Sequence, residues 1–405
     1  MPPAVSDANE LGDMLLGPNA VATSHSALFV TTVASTLEAF LTPFADSLRA
    51  QGWTVDALAN GASSNKRIAE HFDRLYDVTW SRNPLSPGNL LGTAPHVRDL
   101  VRDGDYDIVH VHTPIAAFVT RFALRHRPRG QRPAVIYTAH GFHFYEGQSW
   151  LPHLLFRSME RLGARWTDFI VTINAEDFAA ANMFGGIAPD RVRLIPGIGV
   201  DTELFAPGRV PAEKAARFRT DLGVAPDDFL LVMVAEFSAV KRHSFVLEAL
   251  SLVRNPRVVI AFVGEGPLED SIRRAVDARG LANRVRFAGY RRDIPVLLAA
   301  SDALLLASER EGLNRSALEA MASGRPVIGT DTRGIADAVG KEAGWIVAKN
   351  DPAALAGAID AAAADPAEVT RRGSAARERA VAQFALPRIV DAYEELYREA
   401  LASRV

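Results

Sequence analysis

Residues 307–331 read ASEREGLNRSALEAMASGRPVIGTD and follow a short apolar run at Ala303–Leu306. The run has the length and composition of a buried strand. A polar loop follows it, then a helical pattern starting near Asn314, then a second apolar run at 326–330. Strand, loop, helix and strand in this order make one unit of a parallel α/β sheet. Glu311 falls in the loop, and Glu319, eight positions on, falls one to two turns into the helix. A helix N-terminus presents unpaired N–H groups and a positive dipole end, which suit a diphosphate. A carboxylate accepts hydrogen bonds from the paired hydroxyls of a sugar or a ribose. Taken alone, the two residues equally fit a pair of solvated glutamates beside a helix start.

The same rhythm extends in both directions. Upstream, Val- and Ile-rich runs near 27–33, 53–59, 107–112, 134–139, 168–173 and 191–195 alternate with helical patterns near 37–51, 94–103, 115–127, 150–166 and 175–184. It restarts with strands near 229–235, 257–263, 284–288, 302–306, 326–330 and 344–348, separated by helices at 241–253, 267–280, 292–300 and 315–323. The Pro- and Gly-rich stretch 196–226 lies between the two blocks. The reading is two doubly wound, Rossmann-like parallel-sheet domains facing a cleft. Ligands in such sheets sit beyond the carboxyl ends of the strands. The expected divisions are a flexible tail at 1–26, an acceptor-binding domain at 27–200, a donor-binding domain at 201–384, and a C-terminal helix at 385–405 crossing back to the first domain.

Bulk composition narrows the function. The chain has 405 residues, no cysteine and a net charge of −3. Disulfides, thiolate zinc sites and cysteine nucleophiles are therefore absent, and no global basic field points to nucleic acid. The first basic residue is Arg49, so the charged start of a signal peptide is missing. No apolar run reaches the length of a membrane span. A cytoplasmic protein is the expectation.

At this point the motifs resemble a known family. Glu311-Gly312-Leu313-Asn314, then Glu319-Ala320-Met321-Ala322, then Gly324-Arg325-Pro326-Val327-Ile328 are similar to the signature of glycosyltransferase family 4, retaining enzymes of the two-lobed GT-B fold. The resemblance spans about residues 27–401. It implies that Glu311 faces the donor sugar, that Glu319 holds the nucleotide ribose, and that the backbone of Leu313, Asn314, Arg315 and Ser316 cradles the distal phosphate. In LLVMVAEFSAVKRHSFVLEAL (230–250), Lys241 stands at a loop-to-helix junction. Members of the family carry a lysine there on the donor diphosphate. This chain departs from many of them at Ala235-Glu236-Phe237, where Gly-Arg-Leu is usual. The arginine that would bind phosphate is replaced by an acid, leaving Arg242 or Arg315 to supply the second contact. The turn holding Gly264 and Gly266 would lie near the nucleotide, and Tyr290 and Arg291 at the base.

In the first block, YDIVHVHTP (106–114) ends a strand in His110 and His112. AVIYTAHGFHFYEG (134–147) leads from a strand to His140, His143 and Glu146. By the resemblance, His140 with Gly141 stands near the donor sugar and acceptor, and the block is similar to polysaccharide-biosynthesis members. His112, His143 and Glu146 are acceptor-side candidates, while His110 reads mainly as structural. After the first strand, Ala34-Ser35-Thr36 replaces the family's usual Gly-Gly pair. Asp103-Gly-Asp105-Tyr-Asp107 reads as a solvated turn, and no metal motif is present. No metal or other cofactor is expected.

The function implied is that of a hexosyltransferase-type glycosyltransferase. It would move a sugar, with retention, from a nucleotide-diphosphate donor, UDP by default, to a glycan or lipid-linked acceptor in surface polysaccharide assembly. Alternatives are a soluble small-molecule acceptor, a GT-B nucleotide-sugar 2-epimerase, or a non-catalytic nucleotide-sugar sensor. Arg121, Arg125, Arg127, Arg129 and Arg132, interleaved with Phe118, Phe122 and Leu124, suggest contact with anionic lipid on the inner face of the cell membrane. The same segment fits a helix end followed by a solvated basic loop.

Overall fold

The structure is a computed structural model. It describes residues 25–403 except 82, 84, 129, 130, 132 and 145–147. The tail expected at 1–26 falls almost wholly outside these residues, as do Glu146, Arg129 and Arg132.

The first lobe opens with β1 (Ser26–Val33), α1 (Ala34–Phe40), α2 (Thr42–Ala50), β2 (Thr54–Asn60) and β3 (Leu75–Asp77). It continues through α3 (Ala94–Gly104), β4 (Ile108–His112), α4 (Pro114–Ala123), β5 (Ala134–Ala139) and α5 (Trp150–Ala164), and closes with β6 (Phe169–Thr172), α6 (Ala175–Asn182) and β7 (Val192–Leu194). All strands are parallel, in the order β3-β2-β1-β4-β5-β6-β7. The single helix expected at 37–51 is two. Pro43 has no N–H to donate, and the chain breaks at Leu41 before α2 starts.

The second lobe begins with α7 (Ala212–Asp221), β8 (Phe229–Val234), α8 (His243–Leu252), β9 (Val258–Val263) and α9 (Glu269–Ala278). Next come β10 (Val285–Phe287), α10 (Ile294–Ala300), β11 (Ala303–Leu306), α11 (Arg315–Ala322), β12 (Val327–Thr330), α12 (Ile335–Val339) and β13 (Gly344–Val347). Two helices follow, α13 (Pro352–Ala364) and α14 (Pro366–Arg379). The strand order is β10-β9-β8-β11-β12-β13, again all parallel. The Pro- and Gly-rich join is not all loop, because α7 lies within it and buries Phe218 in the second core.

Each sheet is covered on both faces by apolar layers. That is why its strands read as continuous apolar runs instead of alternating patterns. The last helix, α15 (Leu386–Ala402), leaves the second lobe and packs on the first through Ile389, Tyr393, Leu396 and Tyr397. Where it leaves, Val200 and Ala385 form a β-bridge, so the two connections between the lobes run side by side.

The topology places the chemistry. Strand order reverses between β1 and β4 in one sheet, and between β8 and β11 in the other. Each reversal opens a crevice at the carboxyl ends of those strands. Lys241 follows β8, Glu311 follows β11, and His112 ends β4.

Candidate active site

The cleft between the lobes has a volume of about 450 Å³, within the usual range for small-molecule sites. From the second lobe it is lined by Glu236, Lys241, Glu311 and the 313–319 segment, and from the first by Phe40 and His140. Eight residues singled out from the sequence therefore meet in one cavity: His140, Lys241, Glu311, Leu313, Asn314, Arg315, Ser316 and Glu319.

The start of α11 is built locally. Asn314 caps the helix, its side chain accepting from the Ala317 N–H at 3.0 Å, while Ser316 Oγ donates to the same oxygen at 2.7 Å. The Asn314 amide donates to Glu311 Oε1 at 3.1 Å. The same carboxylate oxygen accepts from Lys241 Nζ at 2.6 Å. A helix N-terminus, a lysine and an oriented carboxylate thus face one volume, an arrangement suited to holding and discharging a diphosphate.

Glu319 is nearly buried, and loss of hydration pushes its carboxyl up, with Arg315 opposing. Arg315 Nε donates to Glu319 Oε1 at 2.8 Å, and its Nη1 reaches across the cleft to the Ala39 carbonyl at 2.8 Å. Of the two arginines considered for a second phosphate contact, only Arg315 lines the cleft. Arg242, in the left-handed region, donates instead to Lys349 O and Asn350 Oδ1.

His140 is held from behind. Its Nε2 lies 3.1 Å from Nδ1 of buried His112, and its ring stacks on Phe40 at 6.1 Å. Behind His112, His110 bonds Tyr397 Oη at 2.7 Å and Thr138 Oγ1 at 2.8 Å. Burial lowers His110 to about 3 and His140 to about 4. His140 therefore meets the cleft as a neutral ring, a hydrogen-bonding group and not a cation.

The remaining sequence candidates lie elsewhere. A Cβ added to Gly264 or Gly266 would overlap the Ala235–Phe237 backbone. These glycines let the 264–266 turn pack under the loop that carries Glu236, and they stand outside the cleft lining. Tyr290 is exposed, and Arg291 is engaged by Asp293 at 2.6 Å. His143 lies beside α5, its ring 5.5 Å from Phe156.

Two features went unread in the sequence. First, the lobes touch backbone to backbone. A Cβ on Gly312 would overlap the His140 carbonyl, and one on Gly141 would press on Gly312 Cα. Second, Arg333, in the loop after β12, enters the first lobe. It donates to Asp177 Oδ1 at 2.8 Å, to Phe142 O at 2.7 Å and to Phe144 O at 3.4 Å, while its Nε reaches Glu311 O at 3.3 Å. One guanidinium thus joins the loop after His140 to the loop bearing Glu311. The place of Arg333 in a loop directly after a strand, as for Lys241 and Glu311, is its one mark in the sequence.

The basic segment is not the lipid contact expected from the sequence. Arg121 is fully buried, donates to Glu160 Oε2 at 2.9 Å and lies over the Tyr137 ring. Arg127 pairs with Asp168 at 2.5 Å. Phe118 and Leu124 are core. These groups fasten α4 inside the lobe and present no lipid-facing patch. Among the described residues, no group of three or more His, Asp or Glu is arranged to hold a metal ion.

Two facing Rossmann-like lobes, with a lysine, a carboxylate pair and a helix start on their cleft, define a GT-B glycosyltransferase. The chain belongs to glycosyltransferase family 4. The model for Glycosyltransferase Family 4 matches residues 37–204, and that for Glycosyl transferases group 1 matches 215–379. The putative glycosyltransferase EpsD of Bacillus subtilis is 33% identical, over 91% of this chain and 95% of its own length. The UDP-Gal:alpha-D-GlcNAc-diphosphoundecaprenol alpha-1,3-galactosyltransferase of Escherichia coli is 27% identical, over 75% and 78%. Among solved structures, HepE of Anabaena in complex with UDP and glucose shares the fold with a TM-score of 0.76 at 22% identity, over 93% of this chain and all of HepE.

Proposed function

We propose that this glycosyltransferase moves a hexose from a UDP-sugar, with retention at the anomeric carbon, to a hydroxyl of a lipid-linked saccharide in surface polysaccharide assembly. The observation that carries the reading is the convergence of Lys241, Glu311, Arg315, Glu319 and the α11 N-terminus on one cleft opposite His140. In this reading Glu319 takes the ribose hydroxyls, the α11 N–H groups and Arg315 take the diphosphate, and Glu311 and His140 orient the sugar. The bond from the anomeric carbon to the diphosphate breaks as the acceptor oxygen bonds the same face. The leaving phosphate oxygen takes the acceptor proton, and Lys241 stabilises the charge left on the diphosphate. These residues supply positioning and charge, so the reaction calls for no metal ion. Uridine as the base is supported by the UDP in the HepE complexes, and a lipid-linked acceptor by the name of the E. coli relative.

A thermal-shift screen over nucleotide sugars tests the donor, since a ligand that binds only the folded state raises its melting temperature. Transfer to a polyisoprenyl-diphosphate saccharide in detergent micelles, with the product anomer read by NMR, tests the reaction. Transfer only to soluble acceptors, or epimerised nucleotide sugar formed without any acceptor, would overturn it.

A further inference from the structure

The described residues hold no helix long and apolar enough to cross a membrane, yet α5 leaves much of its apolar surface uncovered. Trp150, Leu151, Leu154 and Leu155 are between 47% and 75% exposed, and Leu162 further along is 39% exposed. Their spacing follows one side of a helix. The opposite side, with Met159, Gly163 and Ala164, is buried against the lobe. Scattered exposed leucines are ordinary, but four large apolar side chains on two consecutive turns are a patch.

The charge on this helix is one-sided. Arg157, Arg161 and Arg165 follow the apolar turns, and the only acid from Gln148 to Thr167 is Glu160. That acid is buried and neutralised by Arg121. An exposed apolar end continued by cations, with no exposed acid, complements an anionic surface over an apolar layer. A helix of this composition lies in the interfacial plane of a bilayer instead of spanning it. Its 15 residues give a contact of about 22 Å.

The patch is also connected to the loops around the cleft. His153 of α5 packs its ring 5.5 Å from Phe144. The Phe142 and Phe144 carbonyls are tied by Arg333 to the Glu311 loop. The apolar end of α5 is therefore linked, through Phe144 and Arg333, to the loop that bears Glu311.

We propose that the exposed face of α5, formed by Trp150, Leu151, Leu154 and Leu155 and continued by Arg157, Arg161 and Arg165, docks the enzyme on an anionic lipid bilayer. This rests on the lipid-linked acceptor reading above and locates its membrane contact on a different surface from the 121–132 segment.

The test is co-sedimentation of the full chain with vesicles of phosphatidylcholine alone or mixed with phosphatidylglycerol. The triple variants Leu151→Gln/Leu154→Gln/Leu155→Gln and Arg157→Gln/Arg161→Gln/Arg165→Gln are measured beside it, with nucleotide affinity as the check that each remains folded. The wild type is expected to partition about tenfold more strongly onto the anionic vesicles. The leucine variant should lose about tenfold or more of that binding, and the arginine variant its anionic preference, with nucleotide affinity unchanged. Wild-type protein that binds neither vesicle, or a leucine variant that binds as well as wild type, overturns the proposal. So does a dimer, seen by sedimentation velocity, that the leucine substitutions dissolve without any effect on vesicles. Turnover in detergent micelles separates the two readings. Turnover of lipid-linked acceptors without vesicle binding removes the α5 contact alone. Vesicle binding lost in the leucine variant, with turnover of soluble acceptors only, removes the acceptor reading alone.

Discussion

Lys241 Nζ lies 2.6 Å from Glu311 Oε1, the lysine from the loop after β8 and the glutamate from the loop after β11. The pair spans the point where strand order reverses, so it exists only because β8 and β11 are neighbours. Each partner fixes the other's position before a donor arrives. On the proposed reading, a donor diphosphate would give the lysine a second anion to serve.

Lys241→Ala and Glu311→Gln are each expected to lower kcat by about 100-fold or more, the scale for loss of one transition-state stabiliser. The double variant should lose much less than the product of the two, because both changes remove the same pair. Steady-state kinetics on all three variants check this. Full multiplicativity would show that the residues act separately.

Glu319→Ala should weaken nucleotide binding by roughly 10- to 100-fold, corresponding to about 1.5–3 kcal/mol for a charged hydrogen-bond acceptor. Arg315→Ala should also weaken it, and in addition releases the contact to Ala39 across the cleft. Calorimetry with UDP measures both. An unchanged dissociation constant for the folded Glu319 variant removes its ribose role.

Arg333→Ala leaves the Asp177 carboxylate buried beside fewer partners, and truncating one member of a buried pair costs about 3–5 kcal/mol. A clear fall in melting temperature is expected, with part of it recovered in Arg333→Ala/Asp177→Asn. Acceptor KM should rise more than donor KM, since Arg333 holds the Phe142–Phe144 loop and hydrogen-bonds the Glu311 loop only through a backbone carbonyl. Equal changes in both constants would argue for a general loosening of the lobes.

Acid should destabilise the fold before the carboxylates titrate. His110 and His140 are depressed to about 3 and about 4 by burial, and His112 stands well below the usual histidine value. The unfolded chain binds protons at these rings below about pH 6.5, while the folded one does not. Stability is therefore fully present above that pH and falls as pH drops toward the folded values, by up to roughly 1.4 kcal/mol per unit per ring. Asp177 and Glu319, raised by burial, act in the opposite sense closer to the carboxylate range. Denaturant midpoints between about pH 7 and about pH 5.5 isolate the histidines. A flat profile there would show that the rings accept protons in the folded state.

How much of this was legible in the chain depends on whether partners are local. Apolar runs such as 107–112 mark buried strands wherever they occur, and β4 (Ile108–His112) lies inside that run. Glu311, Asn314 and Glu319 sit within one strand–loop–helix unit, so spacing put them near one helix start, while their expected roles came from the family resemblance. Arg121 could not be read this way. Its partner, Glu160, is 39 positions away, and a basic residue among phenylalanines looks the same buried or exposed until that pair is known. Gly312 carries no local signal either, and Arg333 only its place in a loop after a strand, because their roles come from the opposite lobe. The short elements β3 and α12 are too brief for a period to establish itself.

The placement of α15 bears on how the chain is made. The strands of the first lobe are complete at Leu194, but Ile389, Tyr393, Leu396, Tyr397 and Ala400 belong to its core. The cores of the second lobe draw only on residues 200–384. On the ribosome, the domain that emerges first is thus finished last. It must wait, with the groove around His110 and Phe44 uncovered, through the synthesis of some two hundred further residues, while the later domain already has every side chain it needs. A chain that stops short of Leu386 leaves its apolar scar on the lobe farthest from the break in sequence.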